Sequence, residues 1–167
     1  MGKLIIAASL TGLFLELFGV SWDAVDRKIT SEFPDVSFIY REELLQAYED
    51  KDLNVPLLID VREPREFAVS RLPGAINLQS AQSISMEIAD RDQPIVVYCS
   101  VGYRSAAVAA ELQSLGYSQV WNLQHSIFGW GNAGAPLENA DGGTKRIHPY
   151  NSAWGKLLDE SLRAYSP

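Results

Sequence analysis

The residues best suited to chemistry lie in Pro94–Ile95–Val96–Val97–Tyr98–Cys99–Ser100–Val101–Gly102–Tyr103–Arg104–Ser105. Cys99 is the only cysteine of the 167-residue chain. It follows a short apolar run rich in β-branched residues, which reads as a buried strand. It precedes Ala106–Ala107–Val108–Ala109–Ala110–Glu111–Leu112, an alanine-rich run with apolar residues at helical spacing. A cysteine on a tight strand-to-helix turn sits where backbone N–H groups converge and the helix dipole is positive. Both effects favour the thiolate, which is the nucleophile. The plain alternative is a small buried apolar residue. Two neighbours argue against it. A core cysteine has no need of Gly102, and Arg104 places a cation at the helix end that disfavours one. Arg104 therefore calls for an acidic partner or an anionic ligand.

The surrounding chain supplies a frame for that loop. Val36–Tyr40, Leu57–Val61, Ile95–Tyr98 and Val120–Leu123 read as strands. Arg41–Asp50, Arg65–Val69 after Pro64, Ala81–Ala89, Tyr103–Leu115 and Ile127–Asn132 read as helices, with a turn at Pro73–Gly74. Strands alternating with helices imply an α/β fold, a mostly parallel sheet with helices on both faces. Ligands of such sheets bind beyond the carboxyl ends of the strands, where Cys99 falls.

Composition narrows the function. A net charge of −7 with no basic run argues against nucleic acid. One cysteine allows no internal disulfide, and with His125 and His148 the only histidines, no Cys/His metal cluster is expected. No cofactor is called for. Charged residues make up 21% and hydrophobic ones 47%, ordinary for a globular domain.

The ends are less ordinary. Leu4 to Leu15 carry no charge after Lys3, too short for a membrane span. With Gly19–Val20–Ser21 as a small-x-small site, this segment fits a signal peptide, which would send the protein to the periplasm or beyond. It equally fits a retained amphipathic helix in a cytoplasmic protein. Leu10, Leu13, Phe14, Leu17, Phe18 and Val25 would share one face, against the domain, a membrane or a second copy. Trp22 to Asp35 is expected to be helical. Asp141–Gly142–Gly143 reads as a hinge, and Tyr150–Ala164 as a helix with Trp154, Leu157, Leu158 and Leu162 on one stripe, either docked or dimerising. The expected organisation is an N-terminal segment (1–35), a domain (36–138) and a C-terminal extension (139–167).

The loop Cys99–Ser100–Val101–Gly102–Tyr103–Arg104 resembles the Cys-x-x-Gly-x-Arg active-site loop of the rhodanese family. Leu58–Ile59–Asp60–Val61–Arg62–Glu63–Pro64–Arg65–Glu66–Phe67 is similar to that family's Asp-Val-Arg-x-x-x-Glu segment, and Leu72–Pro73–Gly74–Ala75–Ile76–Asn77 to its Pro-Gly-Ala turn. Gly116–Tyr117, Val120, Leu123 and Trp130 match its closing strand and helix. Four motifs in order make the resemblance strong over Val36 to Glu138. It implies a three-layer rhodanese-like fold with N- and C-terminal helical extensions. It also implies a sulfurtransferase that moves sulfane sulfur from thiosulfate or a persulfide, through a Cys99 persulfide, to a thiol or cyanide. Ser100 to Ser105 would form the anion-binding cradle, with Asp60, Arg62, Glu66 and Arg71 in support. Arg104 is expected to pair with Asp60, Glu63 or Glu66, with Asp60 favoured because it ends a neighbouring strand. The other class to weigh is a non-catalytic binding or scaffold module that acts through its terminal helices.

Loop length speaks against a third chemistry. Four residues separate Cys99 from Arg104, one fewer than in related cysteine phosphatases, and Tyr98 replaces the histidine that precedes their cysteine. The chain also departs from the rhodanese pattern. Arg71 stands where histidine is common, and His125–Ser126 replace a Gly-Gly pair. His125 could donate a proton near the site or serve as a cap or surface residue. Val101 and Tyr103 bring no cation to the loop, which disfavours a doubly charged donor such as thiosulfate.

Overall fold

Four apolar runs and one short edge segment build the central sheet of the computed structural model, which describes residues 19–50 and 55–167. Strands β1 (Ser37–Ile39), β2 (Leu57–Asp60), β3 (Ile76–Asn77), β4 (Ile95–Tyr98) and β5 (Val120–Leu123) lie in the order β1-β5-β4-β2-β3, all parallel. β4 is central and every one of its residues is buried. That is why it reads as an unbroken apolar run rather than an alternating one. Its side chains divide between two cores. Val96 and Tyr98 face Leu44, Phe128 and Trp130, whereas Ile95 and Val97 face Ile84, Ala109 and Leu112.

The helices are α1 (Trp22–Glu32), α2 (Arg41–Glu49), α3 (Pro64–Val69), α4 (Ala81–Glu87), α5 (Tyr103–Ser114) and α6 (Ser126–Asn132). Ser21 opens α1 by accepting the Ala24 N–H at 3.2 Å. The helix stops at Glu32, short of the expected Asp35, because Pro34 disfavours helical backbone in the residue before it. The apolar segment read as a signal peptide or amphipathic helix lies outside the described residues up to position 18. Among the described residues no helix is long and apolar enough to cross a membrane.

Two expectations for the tail are corrected. Asp141–Gly142–Gly143 is not a hinge. It closes a hairpin of β6 (Leu137–Asn139) and β7 (Gly142–Thr144), in which Asn139 Oδ1 accepts the Asp141 N–H at 2.9 Å. The stretch expected to form one helix over Tyr150–Ala164 is helical only as two 3-10 turns, Trp154–Leu157 and Glu160–Leu162. Side chains take the backbone groups a helix would use. Asn132 Nδ2 donates to Leu157 O at 2.8 Å, Asn132 Oδ1 accepts the Asp159 N–H at 2.9 Å, and the Arg163 guanidinium donates to Leu158 O.

Fully buried Ile147 anchors this strap, exchanging hydrogen bonds with Leu162 and Ala164. Ile147→Ala is expected to cost about 2–4 kcal/mol in denaturant unfolding and to make the tail protease-sensitive. An unchanged unfolding midpoint would mean that the strap is not part of the core.

Candidate active site

At the carboxyl end of β4 the chain turns through Ser100–Gly102 into α5, with Cys99 only 1% exposed. Gly102, at φ +109°, caps α5 from a conformation that side chains rarely adopt, and a Cβ there would meet Ile29 Cδ1 at 3.4 Å. The turn aims donors at sulfur. Gly102 N–H donates to Cys99 Sγ at 3.2 Å, and the Ser105 hydroxyl lies 3.5 Å from it. That hydroxyl also donates to Asn122 Oδ1 at 2.7 Å, so two acceptors compete for its single proton. Asn122 Nδ2 in turn donates to Gly102 O at 2.9 Å, locking the turn to β5.

Arg104 finds its carboxylate in Glu66. Its Nη1 donates to Oε2 at 3.0 Å and its Nη2 to Oε1 at 2.9 Å. Glu66 is fully buried, and it also accepts the Ser100 hydroxyl at 3.1 Å and the Glu63 N–H at 3.0 Å. The favoured partner, Asp60, is committed elsewhere. It accepts the Arg62 guanidinium at 2.6–3.1 Å in a second buried pair, with Arg62 Nη2 also donating to Ser70 O. Arg62 lies two residues from Asp60 in the chain and reaches it first. Glu66 becomes available because Pro64 starts α3 and turns its first turn toward the loop.

The structure thus brings together Cys99, Ser100, Gly102, Arg104, Ser105 and Glu66. Asp60 and Arg62 form the separate pair. Val101 is buried in the apolar core. Tyr103 turns to α1, where its hydroxyl meets Glu32 and its ring packs on Phe33 beneath Lys28. Arg71 does not supply charge to the loop: it lies over Phe67 and pairs with Glu138 of β6. His125 pairs with Asp26 at 3.0 Å and stacks on Trp22, tying α1 to the rim.

Three contributors escaped the sequence reading. Asn122 left a trace, a polar residue within an apolar strand. Ser126 accepts the Cys99 N–H at 3.1 Å; its trace was the departure from Gly-Gly. Tyr150, whose ring lies 4.6 Å from the Arg104 guanidinium, left none.

These contacts set the charge states. Burial pushes the Cys99 thiol up, but the Arg104 charge, the Ser105 hydroxyl and N–H, and the Gly102 N–H outweigh it, and the thiol falls below its ordinary value. Burial likewise opposes ionisation of Glu66, and the Arg104 and Glu63 bonds overcome it, leaving the carboxyl below the usual range. His125 and Ser126 adopt φ of 56° and 47°, left-handed backbone that costs a residue with a Cβ about 1–2 kcal/mol. Gly129 makes room for the first, since a Cβ there would lie 2.5 Å from His125 Cβ. A cavity of about 220 Å³ opens one strand over, at the carboxyl ends of β1 and β5, lined by Arg41, Gln124, His125 and Trp130 among others.

The rhodanese-like domain model matches residues 40–133. The chain belongs to the rhodanese-like family. It is 36% identical over 87 residues to a sulfurtransferase of Allochromatium vinosum, covering 52% of this chain and 81% of that one. It is 38% identical over 88 residues to the thiosulfate sulfurtransferase GlpE of Actinobacillus succinogenes, covering 52% and 78%. A rhodanese-related protein from Thermoplasma volcanium superposes with a TM-score of 0.52 at 26% identity, covering 60% of this chain and 96% of that one. The rhodanese-like α/β fold read from the motifs is the fold of the chain.

Glu66→Gln is expected to destabilise the protein by about 2 kcal/mol at neutral pH, by breaking a largely buried ion pair. A carboxyl held low in the folded state stabilises fully above its unfolded value of about 4.3 and loses that contribution as pH falls through the folded value. The gap between variant and wild type in denaturant unfolding should therefore close on acidification. A gap independent of pH would remove the charge from the explanation.

Proposed function

We propose that the protein is a sulfurtransferase in which Cys99 carries sulfane sulfur as a persulfide. The observation that carries this reading is the donor set around Cys99 Sγ, which favours its anion although the residue is buried. A scaffold has no use for such a cradle. The relatives named sulfurtransferase support the same reading.

In the first half-reaction the Cys99 thiolate attacks the outer sulfur of the donor. With thiosulfate, the S–S bond breaks and sulfite leaves with the bonding pair. With a persulfide, the donor thiolate leaves. Cys99 is then a persulfide anion, and the loop N–H groups and Arg104 stabilise it as they stabilise the thiolate. In the second half-reaction an acceptor thiolate or cyanide attacks the terminal sulfur, and Cys99 leaves as thiolate. No metal or external oxidant is needed. In this reading Ser100, Val101, Gly102, Tyr103, Arg104 and Ser105 form the loop, and Glu66 positions Arg104. Asp60 and Arg62 brace β2 and α3 from behind, and Arg71 fastens the hairpin.

Charge balance bears on the donor. Arg104 is matched by Glu66 and Arg62 by Asp60, so neither arginine is left unmatched to offset the second charge of a dianion. This favours a persulfide donor over thiosulfate.

The test is intact mass after exposure to thiosulfate, then to a small-molecule persulfide, then to cyanide. The wild type should gain one sulfur and lose it to cyanide, while Cys99→Ser gains none. A wild type that takes up sulfur from neither donor would sink the enzyme reading.

A further inference from the structure

Ser126 does what a residue in its backbone conformation is poorly suited to do. It is fully buried at φ 47°, next to His125 at φ 56°, where glycine would sit without strain. What it provides there is a hydroxyl. Ser126 Oγ accepts the Cys99 N–H at 3.1 Å and donates to Leu123 O at 3.2 Å. The parallel β4–β5 ladder runs in register to Val97 and Asn122. Beyond it, the hydroxyl stands between the Cys99 amide, one residue past β4, and the Leu123 carbonyl of β5, and bridges them. It thereby adds a rung where the β4–β5 pairing ends at the active loop. The next two loop groups are held by the backbone that follows: Ile127 N–H donates to Cys99 O at 3.2 Å, and Phe128 N–H to Ser100 O at 3.0 Å.

We propose that Ser126 is a positioning residue for sulfur transfer, its hydroxyl fixing the Cys99 backbone so that Sγ stays beneath the Gly102 and Ser105 donors. Without the hydroxyl, a buried N–H and a buried C=O lose their partner. The strands must then close on each other or admit water, and either moves Cys99 relative to the turn. A hydrogen bond to sulfur weakens steeply with such displacement. The inference rests on Cys99 being the sulfur carrier. It concerns a pair of residues that departs from the family's usual glycines.

The experiment uses Ser126→Ala and Ser126→Gly. Both remove the hydroxyl, and only glycine also relieves the backbone, so it remains informative if the alanine variant folds poorly. The charged groups facing Cys99, Arg104 with Glu66 behind it, are untouched in both, as is Tyr150 on Arg104. The readout is the pH dependence of Cys99 alkylation by iodoacetamide, followed by the rate of sulfur loading in the intact-mass assay. Both variants should shift the alkylation midpoint upward by about one pH unit, a roughly tenfold loss of thiolate at lower pH. Sulfur loading should slow in parallel. Midpoints unchanged from wild type, or a shift in the glycine variant alone, would overturn the role of the hydroxyl. If the midpoints shift but the wild type takes up no sulfur from any donor, the sulfur-transfer role fails and Ser126 is a positioning residue for the thiolate alone.

Discussion

One buried carboxylate organises this active loop. Glu66 sits in a low-dielectric site where an unpaired charge would be expelled or protonated, and it is tolerated because four donors meet it. Two come from Arg104, one from Ser100 and one from the amide that opens its own helix. The pair does three things at once. It holds Arg104 at the start of α5, where the dipole disfavours a cation. It pins the turn through the Ser100 hydroxyl. It also keeps a positive charge close enough to Cys99 to favour the thiolate. Removing the carboxylate would free the arginine and loosen the turn together, so charge and geometry are one device here.

The elements outside the central sheet serve the same loop. α1 lies along its flank, with Ile29 against Gly102, Glu32 and Phe33 on Tyr103, and Asp26 and Trp22 on His125. From the other end of the chain, the strap anchored by Ile147 carries Tyr150 onto the Arg104 guanidinium, with Tyr150 itself at φ 64°. Segments that look like appendages in the sequence thus close over the site. Cys99 itself is almost wholly buried among apolar residues such as Ile59, Val97 and Ala109, with the Gly102 and Ser105 donors at its sulfur.

Much of this was legible because local rules suffice for it. β4 and β5 match their expected bounds, and the turn between Cys99 and Arg104 follows from a strand, a glycine and an alanine-rich helix. What was not legible depends on competition between distant partners. Asp60 looked the better mate for Arg104 by strand position, but Arg62, two residues away, claims it, and Glu66 is presented only by the turn of α3. The tail carries a sound amphipathic pattern from Trp154 to Leu162, yet Asn132 and Arg163 capture the carbonyls that a helix would need. Gly142–Gly143 marked flexibility in the sequence and a tight hairpin in the fold, since the same backbone freedom serves both. Ser126 shows the reverse case, in which breaking a local rule pointed to a residue that touches Cys99.

The central claim is that Arg104, fixed by Glu66, holds Cys99 as an anion. Because the chain has one cysteine, the thiolate absorbance in the ultraviolet, taken as the difference from Cys99→Ser so that tyrosinate cancels, reports Cys99 alone. The most direct measurement is its pH titration in the wild type and in Arg104→Met. The account predicts a wild-type midpoint below the ordinary thiol value of about 8.5 and a midpoint above the wild type's in the variant, where burial acts unopposed by the cation. A wild-type midpoint at or above the ordinary value, or one that Arg104→Met leaves in place, would contradict it.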